Sequence, residues 1–248
     1  MTRHAGGDTL EAELEAARTF QQSLLPPATS SIGVLEFAGS YRPCESLGGD
    51  LYDYVDAGAG RLTAIVADVS GHGVSAAMLT GIVKSAFHDS HAEDWEPAAV
   101  VRRVSAALKP FAADRFVTLF CARLDPARGR LEFVNAGHPA PFKRAADGGL
   151  RYLTPTGPLI SPAFPDFGWE CEVVPFRAGD QLLIYTDGLT EARNDGGLYG
   201  EDRLETLFRE SEARGAALLS EICASVEIFT HGRPADDDRT LAAISYRL

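Results

Sequence analysis

The chain has 248 residues, of which 45% are hydrophobic, and its formal net charge is −12 at pH 7. The hydrophobic fraction suffices for a substantial core and excludes global disorder, while the acidic balance argues against nucleic acid or an anionic membrane as the main partner. No apolar run approaches the roughly 18–20 residues of a membrane-spanning helix, and the polar start does not resemble a signal peptide.

The cysteines are far apart in the sequence and form no CxxC pair, so a zinc or redox motif of that type is absent from the sequence. A chain of this length does not depend on disulfides for stability, and we therefore expect reduced cysteines and a cytoplasmic location. They are Cys44, Cys121, Cys171 and Cys223.

The first predicted element is a helix around residues 9–25, which Pro26 and Pro27 end. Along one side of this helix, mostly apolar residues recur at alternating spacings of four and three, which is the seam of a heptad pattern. Two heptads are too few to establish a coiled coil, so a dimerising helix and a helix docked on its own domain both remain open. We expect residues 1–27 to form a regulatory or dimerisation helix and residues 28–248 to form one further domain. The seam consists of Leu10, Leu14, Ala17, Gln21 and Leu24.

Beyond this helix, the hydrophobic pattern predicts strands, then helices, then strands and helices again. Predicted strands cover 34–41, 62–66, 116–123, 130–135, 170–176, 181–186 and 241–246. Predicted helices cover 74–87, 97–108, 201–209 and 215–229, and a proline-rich loop covers 155–168. Without a regular βαβ alternation, this order favours an α+β domain with largely antiparallel sheets.

Acidic residues occur at four similar positions, next to predicted strand ends or glycines. Asp68 follows the strand 62–66, Asp187 follows the apolar run LLIYT, Asp50 follows two glycines, and the acidic triplet 236–238 precedes the last strand. Each alone is ordinary turn chemistry. If they cluster, the carboxylates repel one another unless cations neutralise them, and an all-oxygen set favours Mg²⁺ or Mn²⁺ over zinc. Two such ions about 3.5–4 Å apart can activate water and bind a phosphoryl group.

Several long motifs occur in the order found in one enzyme family. The chain resembles the bacterial PPM-type (protein phosphatase 2C-like) serine/threonine phosphatases, in the branch named for stage II sporulation protein E, over about residues 16–247. The motifs are AARTFQQSLLP (16–26), GGDLYD (48–53), ADVSGHG (67–73), FVTLF (116–120), NAGHPAP (135–141), YTDGLTEAR (185–193) and DDRT (237–240). The resemblance implies an αββα sandwich, in which two antiparallel sheets are flanked by helices, with a dinuclear metal site at one end.

The resemblance also implies roles for individual residues. Asp68 would bridge two Mn²⁺ or Mg²⁺ ions, and the Val69 backbone carbonyl would join it where the wider family has glycine. Asp187 and Asp237 would complete the shell of one ion, and Asp50 would act directly or through water. Asp50, Asp68 and Asp187 are thus the predicted catalytic residues, acting through water that the ions activate.

The family pattern Asp-x-x-Thr selects among the three consecutive aspartates. Because Thr240 supplies the threonine, the pattern points to Asp237 rather than Asp238.

Two departures from the eukaryotic relatives concern the groups that would handle the phosphate and the proton. Those relatives have a histidine directly after the Asp-Gly pair, whereas here Ser70 follows Asp68-Val69 and His72 comes later. We expect His72 to satisfy its own turn, and His138 to orient another turn. Those relatives also have an arginine that binds the phosphate near the first motif, whereas here Arg42 lies near that motif but matches no such pattern. The sequence therefore leaves the proton donor to the leaving oxygen open, and a metal-bound water would suffice.

The resemblance implies hydrolysis of phosphoserine or phosphothreonine, with a phosphorylated anti-sigma-factor antagonist of the STAS type as the substrate. The alternative is a catalytically weak pseudophosphatase that serves as a binding module on the same fold. The GGD sequence at 48–50 also resembles the GGDEF motif of diguanylate cyclases, but Leu51-Tyr52 stand where that motif has Glu-Phe. We expect the amino-terminal helix to form a homodimer or dock an activator, and so to gate metal binding.

Overall fold

The computed structural model describes residues 5–71, 73–111, 115–164 and 167–247, with side chains from residue 11 onwards. Its helices are α1 (Ala5–Leu24), α2 (Gly73–His88), α3 (Pro97–Leu108), α4 (Asp187–Thr190), α5 (Glu201–Glu210) and α6 (Gly215–Thr230). Its strands are β1 (Thr29–Ile32), β2 (Leu35–Arg42), β3 (Asp50–Asp56), β4 (Leu62–Val69), β5 (Val117–Asp125), β6 (Arg130–Ala136), β7 (Phe142–Arg144), β8 (Leu150–Tyr152), β9 (Glu172–Pro175), β10 (Gln181–Tyr185), β11 (Arg193–Asn194), β12 (Gly197–Leu198) and β13 (Arg239–Tyr246). Short 3₁₀ segments cover Asp89–Glu93 and Pro126–Arg128.

The strands form two main antiparallel sheets. One has six strands in the order β1-β2-β13-β10-β7-β8, and the other has five in the order β3-β4-β5-β6-β9. Helices α2 and α3 pack on the outer face of the five-stranded sheet, while α6 packs on the outer face of the six-stranded sheet. The expected αββα sandwich is therefore confirmed.

Strand β4 illustrates why the five-stranded sheet is buried on both faces. Its side chains alternate, so Ile65 and Ala67 pack with the helices while Ala64 and Val66 pack between the sheets. All four are 0% exposed, which fits the nearly continuous apolar run in the sequence. By the same alternation, Asp68 belongs to the face between the two sheets.

The same alternation in β3 directs two aspartates to opposite faces. Tyr52 packs between the sheets, so Asp50 lies on that side, whereas Leu51 and Asp53 face the helices. Asp53 is 1% exposed and accepts hydrogen bonds from Lys84 and, at 2.8 Å, from Nε2 of His88. A buried carboxylate needs partners of this kind. Because Lys84 and His88 both belong to α2, their hydrogen bonds to Asp53 fix the position of α2 on the sheet.

The predicted helices are confirmed, with small shifts at their ends, whereas several strands were missed. No hydrophobic pattern indicated β1, β7 or β8, because these three- or four-residue segments have too few positions to display a period of two. The segment after the paired glycines was also not recognised as a strand, although β3 begins at Asp50. Its seven residues pair with β4 along their whole length.

Asp187 does not end a strand, as the apolar run suggested; it is the first residue of the short helix α4. All four cysteines are free thiols. Within the described ranges, none of the helices has both the length and the hydropathy required to cross a bilayer. His72 lies outside the described residues, so its predicted role in a turn is not examined by the structure.

Candidate metal centre

Both sheets contribute acidic residues to the same end of the sandwich. Asp50 at the start of β3 lies directly opposite Asp68 near the end of β4. In the other sheet, β10 ends just before Asp187 and β13 begins just after Asp238, and these two strands are paired and antiparallel. The pairing of antiparallel strands thus brings residues far apart in the sequence to one edge.

Thr186 joins the two sheets at this end. Its hydroxyl Oγ1 donates a 2.8 Å hydrogen bond to Oδ2 of Asp50 and accepts a 2.9 Å hydrogen bond from the backbone N–H of Thr240. The N–H of Thr186 in turn donates to the Thr240 carbonyl at 3.1 Å. One threonine side chain therefore fixes the Asp50 carboxylate of one sheet against a strand pair of the other.

The carboxylates at this end raise one another's pKa. Burial, followed by the charge of Asp68, holds the pKa of Asp50 well above its usual range. Burial and the charges of Asp187, Asp237 and Asp238 raise the pKa of Asp68 to about 7. Both shifts arise because the ionised carboxylates lose water and face like charges. A hard divalent cation would offset both effects, so this donor set fits Mg²⁺ or Mn²⁺.

The side chains alone would not complete a coordination sphere. In the described part of the chain, no three acidic, histidine or cysteine side chains lie close enough together to hold one ion by themselves. Backbone carbonyl and water oxygens would have to supply the remaining ligands, as is usual for Mg²⁺.

The paired glycines allow the backbone of the GGDLYD motif to approach the strand end that carries Asp68. The carbonyl of Gly49 accepts a 3.1 Å hydrogen bond from the N–H of Val69. A Cβ at Gly49 would lie 2.5 Å from the Val69 carbonyl oxygen, which is closer than a carbon and an oxygen that are not bonded can approach. Glycine is required here by this close approach of two backbones, so the motif is more than an ordinary turn.

The acidic triplet divides into residues with different surroundings. Asp238 is 4% exposed, and its two carboxylate oxygens accept backbone hydrogen bonds from Cys44 at 2.8 Å and Gly49 at 2.6 Å. Asp237 is exposed, accepts the N–H of Asp238 at 2.8 Å and contributes to the raised pKa of Asp68. Asp238 thus holds the glycine loop in place.

The turn after Asp68 is held by the start of β5. Ser70 donates its N–H to the Phe116 carbonyl at 2.9 Å, and its Oγ accepts the Phe116 N–H at 3.0 Å. Nη1 of Arg115 donates to the Ser70 carbonyl at 3.3 Å. These contacts explain why a serine can follow Asp68-Val69 without disturbing the strand end.

Two other candidates have structural roles. His138 is 1% exposed, lies 2.9 Å through Nδ1 from Oγ1 of Thr118, and has a pKa that burial lowers to about 3. The ring of His138 contacts Thr118 of β5, which agrees with the expectation that His138 orients its turn. Arg42 pairs with Glu227 of α6 at 2.9 Å, so it is held on the outer face of the sheet.

Sequence reasoning missed two residues that hold this end together. Thr186 had no distinguishing signal, because a threonine after an apolar strand is common. Gln21 of α1 hydrogen-bonds to the backbone of Gly48, beside the paired-glycine motif. Its signal was a polar residue at a seam position of the predicted helix, where an apolar one is usual.

Two packed antiparallel sheets, outer helices and an acidic end are the architecture of a PP2C-type (PPM) phosphatase domain, which is a metal-dependent serine/threonine phosphatase at the level of the family. The chain belongs to the Stage II sporulation protein E (SpoIIE) family, whose sequence profile matches residues 58–247. The branch and fold that the motifs indicated are therefore confirmed.

Individual relatives agree with this assignment. The phosphoserine phosphatase RsbP of Bacillus subtilis (strain 168) is 30% identical over 185 residues, which cover 72% of this chain but 45% of RsbP. The SiaA-PP2C domain of Pseudomonas aeruginosa has a TM-score of 0.85 at 22% identity, covering 98% of this chain and 99% of that domain. The catalytic domain of the phosphatase PstP, in complex with two manganese ions, has a TM-score of 0.63 at 17% identity, covering 87% and 99%. At these identities the two structures establish the fold alone.

Proposed function

We propose that the protein is a protein phosphatase that hydrolyses phosphoserine or phosphothreonine with the help of two Mn²⁺ or Mg²⁺ ions. The observation that carries this proposal is that Asp50, Asp68, Asp187 and Asp237 come from two sheets to one end of the sandwich. There burial and the charges of Asp187, Asp237 and Asp238 raise the pKa of Asp68. When bound, such ions supply positive charge for the phosphate and lower the pKa of a water. The RsbP relative is named a phosphoserine phosphatase, and the PstP domain contains two manganese ions, which supports the same chemistry.

Within the proposal, each residue has a defined task. Asp68 would be shared by the ions, with the Val69 carbonyl beside it. Asp187 and Asp237 would contribute to the shell of one ion, together with backbone carbonyl and water oxygens, and Asp50 would act directly or through water. The Thr186 hydrogen bond orients the Asp50 carboxylate toward this end of the sandwich.

For the substrate we propose a phosphorylated anti-sigma-factor antagonist of the STAS type, acting in a partner-switching pathway in the cytoplasm. This rests on the family branch and on the similarity to RsbP. The chain spans less than two thirds of the curated relatives it matches, between 41% and 60% of their lengths. The alternative is a pseudophosphatase that binds a partner without turnover, and the presence of every expected carboxylate weighs against it.

For residues 1–27 we propose a regulatory role, in dimerisation or in docking an activator. An apolar groove of about 590 Å³ lies between α1 and α2. Phe20 on one side and Met78 on the other are 66% and 69% exposed. Such exposed apolar surface is typical of an interaction site, and its position beside α2 would connect it to the metal centre.

The test is hydrolysis of p-nitrophenyl phosphate and of candidate phospho-STAS proteins with and without millimolar Mn²⁺. We expect Mn²⁺-dependent turnover, and we expect Asp68→Asn and Asp187→Asn each to abolish it while circular dichroism stays unchanged. Asp195→Asn is the matched control, because that carboxylate is fully exposed and is not one of the proposed ligands. Full activity in either active-site variant would remove the ligand assignment, and metal binding without any turnover would favour the pseudophosphatase.

A further inference from the structure

Two arginines lie directly opposite each other on the outer face of the six-stranded sheet. Arg42 at the end of β2 pairs in register with Arg239 at the start of β13. Like charges at directly opposed positions repel each other and destabilise a strand pair. This pair of guanidinium groups therefore needs negative charge beside it.

One carboxylate contacts both arginines. Oε1 of Glu227 on α6 lies 2.9 Å from Nη1 of Arg42 and 3.7 Å from Nη1 of Arg239. Each guanidinium carries several N–H donors in a fixed plane, so contacts through a single oxygen use only a small part of the donors of the pair. Two positive charges thus meet one negative charge, in a chain whose net charge is −12.

Arg239 has a buried donor that is not used. Its side chain is 9% exposed, and its Nε has no hydrogen-bond partner in the part of the chain that the structure describes. A buried donor of a charged group costs free energy when it stays unpaired. A bound oxyanion would supply the missing acceptor.

A groove on the surface leads to these arginines. It has a volume of about 210 Å³, lies between the first two strands of the sheet and α6, and is lined by Arg42. Ser40, Arg42 and Cys223 line both this groove and a smaller cleft that contains Arg239 and Glu227. Because one water occupies roughly 30 Å³, the groove can hold a tetrahedral oxyanion together with its water.

The lining of the groove suits a phosphate group. None of the described residues that line it is acidic, and Thr29, Ser40 and Ser220 contribute hydroxyl groups. The planar fork of an arginine binds two oxygens of a phosphate through parallel N–H donors. Hydroxyl groups can donate to the remaining oxygens, which a carboxylate ligand would not have.

We propose that Arg42 and Arg239 form a phosphate-binding site on the outer face of the six-stranded sheet, separate from the metal centre. The ligand is a phosphate group, carried either by free inorganic phosphate or by a phosphorylated protein. Glu227 competes with this ligand, because its ion pair with Arg42 uses the same donors. The site includes none of the proposed metal ligands, so it can be tested independently of the phosphatase proposal.

The experiment titrates inorganic phosphate into protein in EDTA and measures binding by calorimetry, since a loaded metal centre would itself bind phosphate. We expect saturable binding by wild type and about tenfold weaker binding by Arg42→Gln, which loses charge-assisted hydrogen bonds. Arg151→Gln is the matched control, because the side chains of Arg42 and Arg151 are 56% and 54% exposed and each pairs with a glutamate. It should bind phosphate as the wild type does.

Two further variants test the other members of the cluster. Glu227→Gln removes the competing carboxylate, so it should strengthen phosphate binding severalfold, whereas an ion pair with a purely structural role would give no gain. Arg239→Lys keeps the charge but loses the planar fork, so it should weaken binding without loss of the folded state in urea unfolding.

A phosphoserine peptide, titrated in the same way, separates the two sources of the phosphate group. Tighter binding of the peptide assigns the site to a phosphoprotein, and equal or weaker binding assigns it to the free ion. If neither ligand binds wild type, or if both bind Arg42→Gln as well as they bind Arg151→Gln, the inference is wrong. Mn²⁺-dependent turnover of p-nitrophenyl phosphate would in that case still support the phosphatase proposal.

Discussion

At the scale of the residue, the acidic triplet contains two neighbours with opposite tasks. Asp238 uses both carboxylate oxygens to hold backbone N–H groups, while Asp237 is exposed and adds negative charge near Asp68. A carboxylate that accepts buried backbone donors stabilises the fold, whereas one that adds repulsion destabilises it unless a cation is bound.

This difference predicts separable effects for two asparagine substitutions. Asp238→Asn should lower the free energy of unfolding of the metal-free protein by about 1–3 kcal/mol, because one oxygen is replaced by a donor that faces a backbone N–H. Asp237→Asn should leave that free energy unchanged or higher and should instead raise the Mn²⁺ concentration needed for half-maximal activity. Urea unfolding and Mn²⁺ titration measure the two quantities, and the reverse pattern would assign the ligand role to Asp238.

At the scale of the element, α1 and α2 share an apolar groove whose side chains are unusually exposed for a monomer surface. Phe20 of α1 and Met78 of α2 line it. A second copy of α1 or an activator helix could cover this surface, because either would bring an apolar face of similar width.

A substitution in the groove distinguishes self-association from activator docking. If the groove forms a homodimer, Phe20→Glu should reduce the mass measured by light scattering from dimer to monomer, since a charge would be buried without a partner. Ile228→Glu is the matched control, because Ile228 is 74% exposed on α6 of the other layer. A wild-type chain that is monomeric at all concentrations would contradict the dimer prediction and leave docking of an activator as the role of α1.

At the scale of the whole molecule, the acidic end makes stability depend on divalent ions. Burial and mutual repulsion raise the pKa values of Asp50 and Asp68, which means that their ionised forms are unfavourable in the folded, metal-free state. Ligands that bind only the folded state stabilise it by mass action.

Metal addition should therefore raise the melting temperature. At a free Mn²⁺ concentration of about 100 times Kd, the gain is about 2.7 kcal/mol, or roughly 5–11 °C for a domain of this size at about 2–4 °C per kcal/mol. Differential scanning fluorimetry with Mn²⁺ and with EDTA measures the shift. We expect Asp68→Asn to show a much smaller shift, and an equal shift in that variant would place the stabilising ions elsewhere.

Acid stability should depend on His138. Burial lowers the pKa of His138 to about 3, whereas a histidine side chain in the unfolded chain titrates near 6.5. Between these pH values the unfolded state therefore binds one more proton than the folded state. The folded state is thus penalised as pH falls below about 6.5, by roughly 1.4 kcal/mol per pH unit. His138→Gln should flatten this acid loss in urea unfolding between pH 6.5 and 5, although it costs stability at pH 7. His231→Asn, at an exposed helix end, should retain the slope.

The sequence alone determined the family and the identity of the acidic positions. These positions are marked by local patterns, which can be recognised without knowledge of the fold. The patterns are the apolar run before Asp68, the paired glycines before Asp50 and the acidic triplet that contains Asp237. The helices α2, α3 and α6 were likewise predictable, since each carries an apolar face over twelve or more residues. Helix α5 was predicted too, although its apolar residues are only Leu204, Leu207 and Phe208.

Only the tertiary structure decided how these positions are held. The opposition of Asp50 and Asp68, the Thr186 bridge between sheets and the Gln21 contact with Gly48 join residues that are distant in the chain. Such contacts depend on strand register and on the close approach of backbones at glycines, and neither leaves a periodic trace in the sequence. The short strands β1, β7 and β8 escaped prediction because three or four residues are too few to display a period of two.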